Sequence, residues 1–310
     1  TSISWTWAQS GWYLPMPTSR PVNEVQIDTR QGRLAALHWP CAGGPRVLCL
    51  HGWLDNAASF IPLAPLLVPL DLLAIDLPGH GHSEHRHETS RYHFIDYLFN
   101  VDAALDELGW SSCHLLGHSL GAAIASAYAA GAPERVRSIV LLDTMGPVSV
   151  SADSTTERLR RSLVKNRRGT GPVRHFDSIE HMVKARCLYS GMHEKAARLI
   201  CERAVKKTRS QYQWRSDPSL NWVSSLVMTD EQALDLVSHI TAPTLTFTAT
   251  EDSPWASREK LEKRRRAMDH GVHETLEGHH HFHMDKPAEI ADTIRDFIIE
   301  NDNPPDEGSS

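Results

Sequence analysis

The run Gly117-His118-Ser119-Leu120-Gly121 sets a serine between two glycines in the spacing GxSxG. A strand-like stretch, CHLLGH at 113–118, precedes it, and an alanine-rich helical stretch, 121–130, follows. A serine at a sharp strand-to-helix turn is held with its hydroxyl exposed, and small flanking residues let the backbone close. The helix start beside it offers N–H groups to a developing negative charge, which makes Leu120 N–H a candidate oxyanion donor. A serine hydroxyl is a weak nucleophile near neutral pH. It needs a general base, and the base needs an orienting acid. Histidines gather near the C-terminus at His279, His280, His281 and His283. Carboxylates close strand-like runs at Asp143, Glu251 and Asp252. Together these residue types suit nucleophilic acyl transfer.

The elements that must bring them together follow from periodicity. Residues 22–39 alternate around Gln31-Gly32, a hairpin signal. Apolar runs of strand length then recur as RVLCL (46–50), LLAIDL (72–77), CHLLGH (113–118), SIVLLD (138–143), TLTFTAT (244–250) and a last one near 272–276. Helical stretches are predicted between them, over 57–67, 94–108, 121–130, 257–268 and 290–299. Phe94, Tyr97, Leu98, Val101, Leu105 and Leu108 form one apolar stripe, and Ile290, Ile294, Phe297 and Ile298 another. Alternating strand and helix predicts an α/β architecture, a mostly parallel central sheet with helices on both faces. Between about residues 146 and 237 no strand pair is apparent. Residues 151–215 carry sixteen Lys and Arg against six Asp and Glu. The predicted division is a core of 1–146 and 236–310 with an inserted helical cap, or lid, over 147–235. Phe176, Tyr189, Tyr212 and Trp214 are read as the cap's own core.

A second oxyanion donor is expected after the first parallel strand, in Leu50-His51-Gly52-Trp53. There Gly52 allows close backbone approach and Trp53 N–H is the candidate. His51 is read as pinning that loop. LHGWLDNAASF, DLPGHGHS, LLGHSLGA and EGHHHFHMDKPAEIA resemble the oxyanion loop, PGxGxS turn, nucleophile elbow and histidine loop of α/β-hydrolases. Their order and spacing are most similar to the serine hydrolase-like branch, and WRSDPSL (214–220) resembles a lid motif of that family. The resemblance implies a serine hydrolase acting on a small acyl substrate through an acyl-enzyme, with Ser119 as nucleophile. It implies that the base lies seven residues before the proline opening the last helix. From Pro287 this gives His280, with His279 as alternate. It implies an acid just beyond the strand TLTFTAT, Asp252, with Glu251 as alternate. Some relatives carry the acid after the earlier strand, which keeps Asp143 open. Thioester and C–C bond hydrolysis belong to the same fold, as does a non-catalytic binding protein.

The bulk properties agree with this. The chain has 310 residues, 41% hydrophobic and 23% charged, with a formal net charge of -6. That is room for one large domain with an insertion, and it disfavours a nucleic-acid binder. The basic cap could dock an acidic carrier or an anionic substrate. The five cysteines are scattered and read as thiols. Neither a secretory leader nor a membrane-spanning run is visible, so a cytoplasmic location is expected. No cofactor is expected. No metal is expected in the histidine loop either, because adjacent histidines do not share a face.

Overall fold

The computed structural model describes residues 20–302, apart from 89, 170, 172, 210, 223, 252–256 and 269–270. The opening segment with Trp5, Trp7 and Trp12, the preferred acid Asp252 and the tail beyond 302 lie outside the described residues.

A hairpin opens the fold, β1 (Asn23–Thr29) antiparallel to β2 (Gly32–Trp39). There follow β3 (Arg46–Leu50), β4 (Asp71–Ile75), α1 (Phe94–Glu107), β5 (Cys113–His118), α2 (Leu120–Gly131) and β6 (Val136–Leu142). A long segment then carries α3 (Thr155–Arg168), β7 (His175–Phe176), α4 (Ile179–Ser190), α5 (Glu194–Ala204), β8 (Val205–Lys207) and β9 (Tyr212–Trp214). The chain returns through α6 (Asp230–Ser238), β10 (Thr244–Ala249), α7 (Arg258–Ala267), β11 (Gly271–Leu276), α8 (Phe282–Asp285) and α9 (Ala288–Glu300). Eight strands form one sheet in the order β1-β2-β4-β3-β5-β6-β10-β11. It is parallel from β4 to β11, and β2 joins β1 and β4 antiparallel.

The inner strands β4, β3, β5 and β6 are largely apolar because both faces are covered, and their two-residue period splits each strand between two cores. Leu48 and Leu50 of β3, Leu115 of β5, and Ile139 and Leu141 of β6 pack with Val101, Leu105 and Ile124 from α1 and α2. Val47, Cys49, Leu116, Val140 and Leu142 point the other way, against Phe60, Leu63, Phe282, Ile290, Ile294 and Ile298.

Two expectations are corrected. The helix predicted over 57–67 is two short 3-10 turns, Ala57–Phe60 and Ala64–Leu66. Pro62 and Pro65 lack the amide hydrogens that a continuous helix requires there. The segment between β6 and β10 is not purely helical: β7, β9 and β8 form a small antiparallel sheet. Strands of two or three residues are too short to show a period.

That segment has its own apolar center of Phe176, Met182, Val183, Met192, Ala197 and Ile200, joined by Met284 of α8. Phe176 meets Trp214 edge to face, at 5.7 Å between ring centroids. Buried charges tie the segment to the sheet. Arg203 Nε donates to both carboxylate oxygens of Asp76 at 3.0 Å, and its Nη1 donates to Glu24 Oε2 at 2.8 Å. Asp76 also accepts the Ala57 and His82 N–H groups at 2.7 Å. A Cβ on Gly81 would lie 2.2 Å from the Asp76 carboxylate, so that turn needs glycine. The WRSDPSL segment docks on the same turn, with Asp217 N–H donating to Gly79 O and Tyr92 Oη–H to Asp217 Oδ2, both at 2.8 Å.

Candidate active site

The turn from β5 into α2 holds Ser119 at φ 52° and ψ -113°, a region that costs a non-glycine residue strain. The surroundings enforce it. Ser119 N–H donates to Leu142 O at 3.0 Å, and Ser119 O accepts the Ala123 N–H at 3.0 Å. A Cβ on Gly117 would lie 2.5 Å from the Gly121 backbone, and one on Gly121 would lie 1.9 Å from Leu50 O. The two glycines are therefore steric requirements of the bend.

The next strand supplies the carboxylate. Asp143 follows β6 directly and also lies at positive φ, 57°. Its N–H donates to Phe247 O at 2.8 Å, and its Oδ1 accepts the Ala249 N–H at 2.8 Å. Its Oδ2 is then left facing His280 Nδ1, at 2.5 Å. Of the candidate acids among the described residues, Asp143, the alternate, is the one that contacts His280. Glu251 is exposed at the end of β10, its N–H bonded to Gly278 O at 3.1 Å. The resemblance favoured the loop after β10. Asp143 stands one strand earlier, where the pairing of β6 with β10 clamps it.

Within the histidine loop, His280 and His281 line the same cavity of about 270 Å³ as Ser119, and of the two only His280 contacts Asp143. Burial lowers the His280 pKa, partly offset by the Asp143 hydrogen bond. A neutral imidazole with Nδ1–H held by a carboxylate presents Nε2 as an acceptor. His279 turns away, its Nε2 2.7 Å from Asp285 Oδ2. His118, between Gly117 and Ser119, donates from Nε2 to the His280 backbone oxygen at 2.8 Å. The residue beside Ser119 thus fixes the backbone of His280, a tie that sequence reading missed.

The loop after β3 borders the same cavity with Gly52, Trp53 and Asp55. His51 pins it, accepting the Leu77 N–H at Nε2, 2.9 Å, and pairing Nδ1 with Gly52 O at 2.7 Å. Gly52 is required, because a Cβ there would lie 2.7 Å from Asp55 Oδ2 and 2.9 Å from His118 Nδ1. Asp55 is fully buried and ion-paired to Arg186 of α4. Burial alone would raise its pKa, but Arg186, His281 and His118 together hold it well below the usual carboxylate range. His281 lies 3.4 Å from Asp55, yet burial still pushes its pKa down to about 4. Asp55 lies within the LHGWLDNAASF run, but Arg186 carries no motif signal, and their contact spans 131 positions.

Leu120 lies at the first turn of α2, where backbone N–H groups lack helical partners, and it lines the cavity beside Trp53. Phe94, Val148 and Tyr189 supply apolar wall, with Tyr189 coming from α4. All five cysteines, Cys41, Cys49, Cys113, Cys187 and Cys201, are free. Among the described residues no helix is long and apolar enough to cross a membrane.

Residues 45–287 match the family model described as alpha/beta hydrolase fold. The chain is 29% identical to a serine hydrolase-like protein of Danio rerio, over 90% of this chain and 89% of that one. It is 27% identical to an esterase of Mycobacterium tuberculosis, over 90% of each chain. A crystal structure of a hypothetical protein from Pseudomonas aeruginosa PAO1 superposes with a TM-score of 0.83 at 32% identity, covering 89% of this chain and 99% of that one. The strained serine elbow, the parallel sheet that carries it and these likenesses converge, and the chain belongs to the α/β-hydrolase family, in its serine hydrolase-like branch.

Proposed function

We propose that this chain is a serine hydrolase that cleaves a carboxylic ester through an acyl-enzyme. The observation that carries the reading is the 2.5 Å contact of His280 Nδ1 with Asp143, with His280 and Ser119 bordering one cavity. Ser119 Oγ attacks the carbonyl carbon while its proton passes to His280 Nε2. Asp143 fixes the imidazole tautomer and stabilises its cationic form. The Trp53 and Leu120 N–H groups receive the oxyanion. Collapse expels the alcohol, which takes the proton from His280, and water activated by His280 then releases the acid.

Residues 147–235 act as the cap over this site. A cavity of about 270 Å³ with Trp53, Phe94, Val148 and Tyr189 in its wall suits a compact acyl group. The same arrangement is chemically competent for thioesters and for C–C cleavage of diketones. The thioester alternative draws support from α3, which carries Arg158, Arg160, Arg161, Lys165, Arg167 and Arg168 and buries none of its residues. Such a surface suits an acidic carrier or an anionic substrate.

A fluorophosphonate probe tests the reading. It should label Ser119 in the whole chain and fail on Ser119→Ala, whose esterase kcat should fall by about 10⁶-fold. No labelling of the folded chain would instead indicate a binding protein of hydrolase shape.

A further inference from the structure

Two groups of three ligating side chains converge outside the reacting atoms, Asp55 with His118 and His281, and His193 with His279 and Asp285. The first is buried against Arg186, whose guanidinium already neutralises Asp55. A divalent cation placed there would sit beside a buried positive charge in a medium of low polarity. The second group carries no such conflict. The charges acting most on His279 are the carboxylates of Asp285, Glu251 and Asp143.

The second group lies on a seam. His193 is the residue preceding α5, His279 stands beside His280 in the histidine loop, and Asp285 ends α8. Asp285 Oδ2 lies 3.0 Å from His193 Nδ1 and 2.7 Å from His279 Nε2. The two rings meet edge to face with centroids 5.1 Å apart. Three donor atoms on three separate elements therefore lie within 4.8 Å of one another. Tetrahedral zinc, with bonds of about 2.0–2.2 Å, would hold such donors roughly 3.3 Å apart. The two Asp285 contacts, at 3.0 and 2.7 Å, lie close to that spacing, and the His193 side chain, 71% exposed, has room to adjust.

We propose that His193, His279 and Asp285 form a site for a divalent transition-metal ion, with water as the remaining ligand. Two imidazoles and one carboxylate favour zinc and its neighbours over magnesium or calcium, which take oxygen ligands. One ligand comes from the segment between β6 and β10 and two from the stretch that carries His280. Bound metal would therefore crosslink these parts one residue from the base. The histidine loop alone does not show the site, because its partners are 86 positions upstream of His279 and six downstream.

The test uses zinc alone, titrated into the whole chain by calorimetry and followed in parallel by thermal melting. The wild type should bind zinc and rise in Tm, and magnesium should produce no rise. His193→Ala and Asp285→Asn should each lose the rise and bind at least about tenfold more weakly, the lower end of what even an outer-shell partner contributes. The His193 side chain makes no capping bond to α5 and is largely exposed, so His193→Ala should lower the metal-free Tm only by the small amount that one exposed contact contributes. The difference between wild type and variant removes binding at the other histidines. Zinc binding that is equal in wild type and both variants, an equal rise with magnesium, or no binding by the wild type would overturn the proposal.

Discussion

Asp143 Oδ2 and His280 Nδ1 lie 2.5 Å apart across 137 positions of chain, and Asp143 Oδ1 is held at the same time by Ala249 N–H. The carboxylate is clamped between two strands before it meets the imidazole. Asp143→Asn should therefore fold normally but lower kcat by about 10⁴-fold, because an amide at that position favours the wrong tautomer. Asp252→Ala should leave kcat little changed. Steady-state rates on a short-chain p-nitrophenyl ester rank the two variants. The opposite ranking would return the acid to the loop after β10.

Burial lowers the His280 pKa and the Asp143 bond only partly restores it. As the proposed base, His280 would work unprotonated, so activity should fall as pH drops through its folded value. The acid limb of kcat/KM should lie below the ordinary imidazole value of about 6.5. A limb above 7 would contradict this environment.

Stability should follow pH in the same direction. His281 titrates near 4 in the folded chain, and burial lowers His51 and His283 as well. The unfolded chain takes up these protons near 6.5, so the contribution is whole above that pH. It is lost as pH falls from about 6.5 toward 4. The urea midpoint at pH 5 should be lower than at pH 7.5, and an unchanged midpoint would remove the argument.

Two glycines of α2 should respond oppositely to alanine. At Gly121 the new methyl would press on Leu50 O at 1.9 Å, and the substitution should cost about 3 kcal/mol. At Gly131 nothing lies within 4 Å, and reduced freedom of the unfolded chain should stabilise by roughly 0.5 kcal/mol. Thermal melting of both variants checks the contrast.

The basic surface of α3 makes a prediction about salt. Hydrolysis of an anionic ester should slow as ionic strength rises, while a neutral ester of similar size should not. Parallel slopes would show that the helix takes no part in recognition.

Much of the fold was legible because a sheet covered on both sides leaves continuous apolar runs. Val47–Leu50, Leu115–Leu116 and Ile139–Leu142 each announced a strand, and the stripe from Phe94 to Leu108 announced α1. Ser119 was legible because its bend demands glycine at 117 and 121. The choice of carboxylate was not, because Asp143, Glu251 and Asp252 all follow strand-like runs, and the contact of Asp143 with His280 depends on the pairing of β6 with β10. Asp55 and Asp76 stand in the quoted motifs, but their pairing with Arg186 and Arg203 was missed for a related reason. A buried ion pair between distant residues has no period and no local spacing.

The pairs Arg186–Asp55 and Arg203–Asp76 limit how the cavity can exchange its contents. Swinging α4 and α5 away as a door would strand four charges, and removing one partner of a single buried pair already costs about 3–5 kcal/mol. A fully hinged-open form would thus be a rare species. Passage is left to smaller adjustments at the rim, where Tyr189 stands 59% exposed and Val148 49%. Substrate choice in this chain is then a matter of which molecules slip past that doorway as much as of which ones fit behind it.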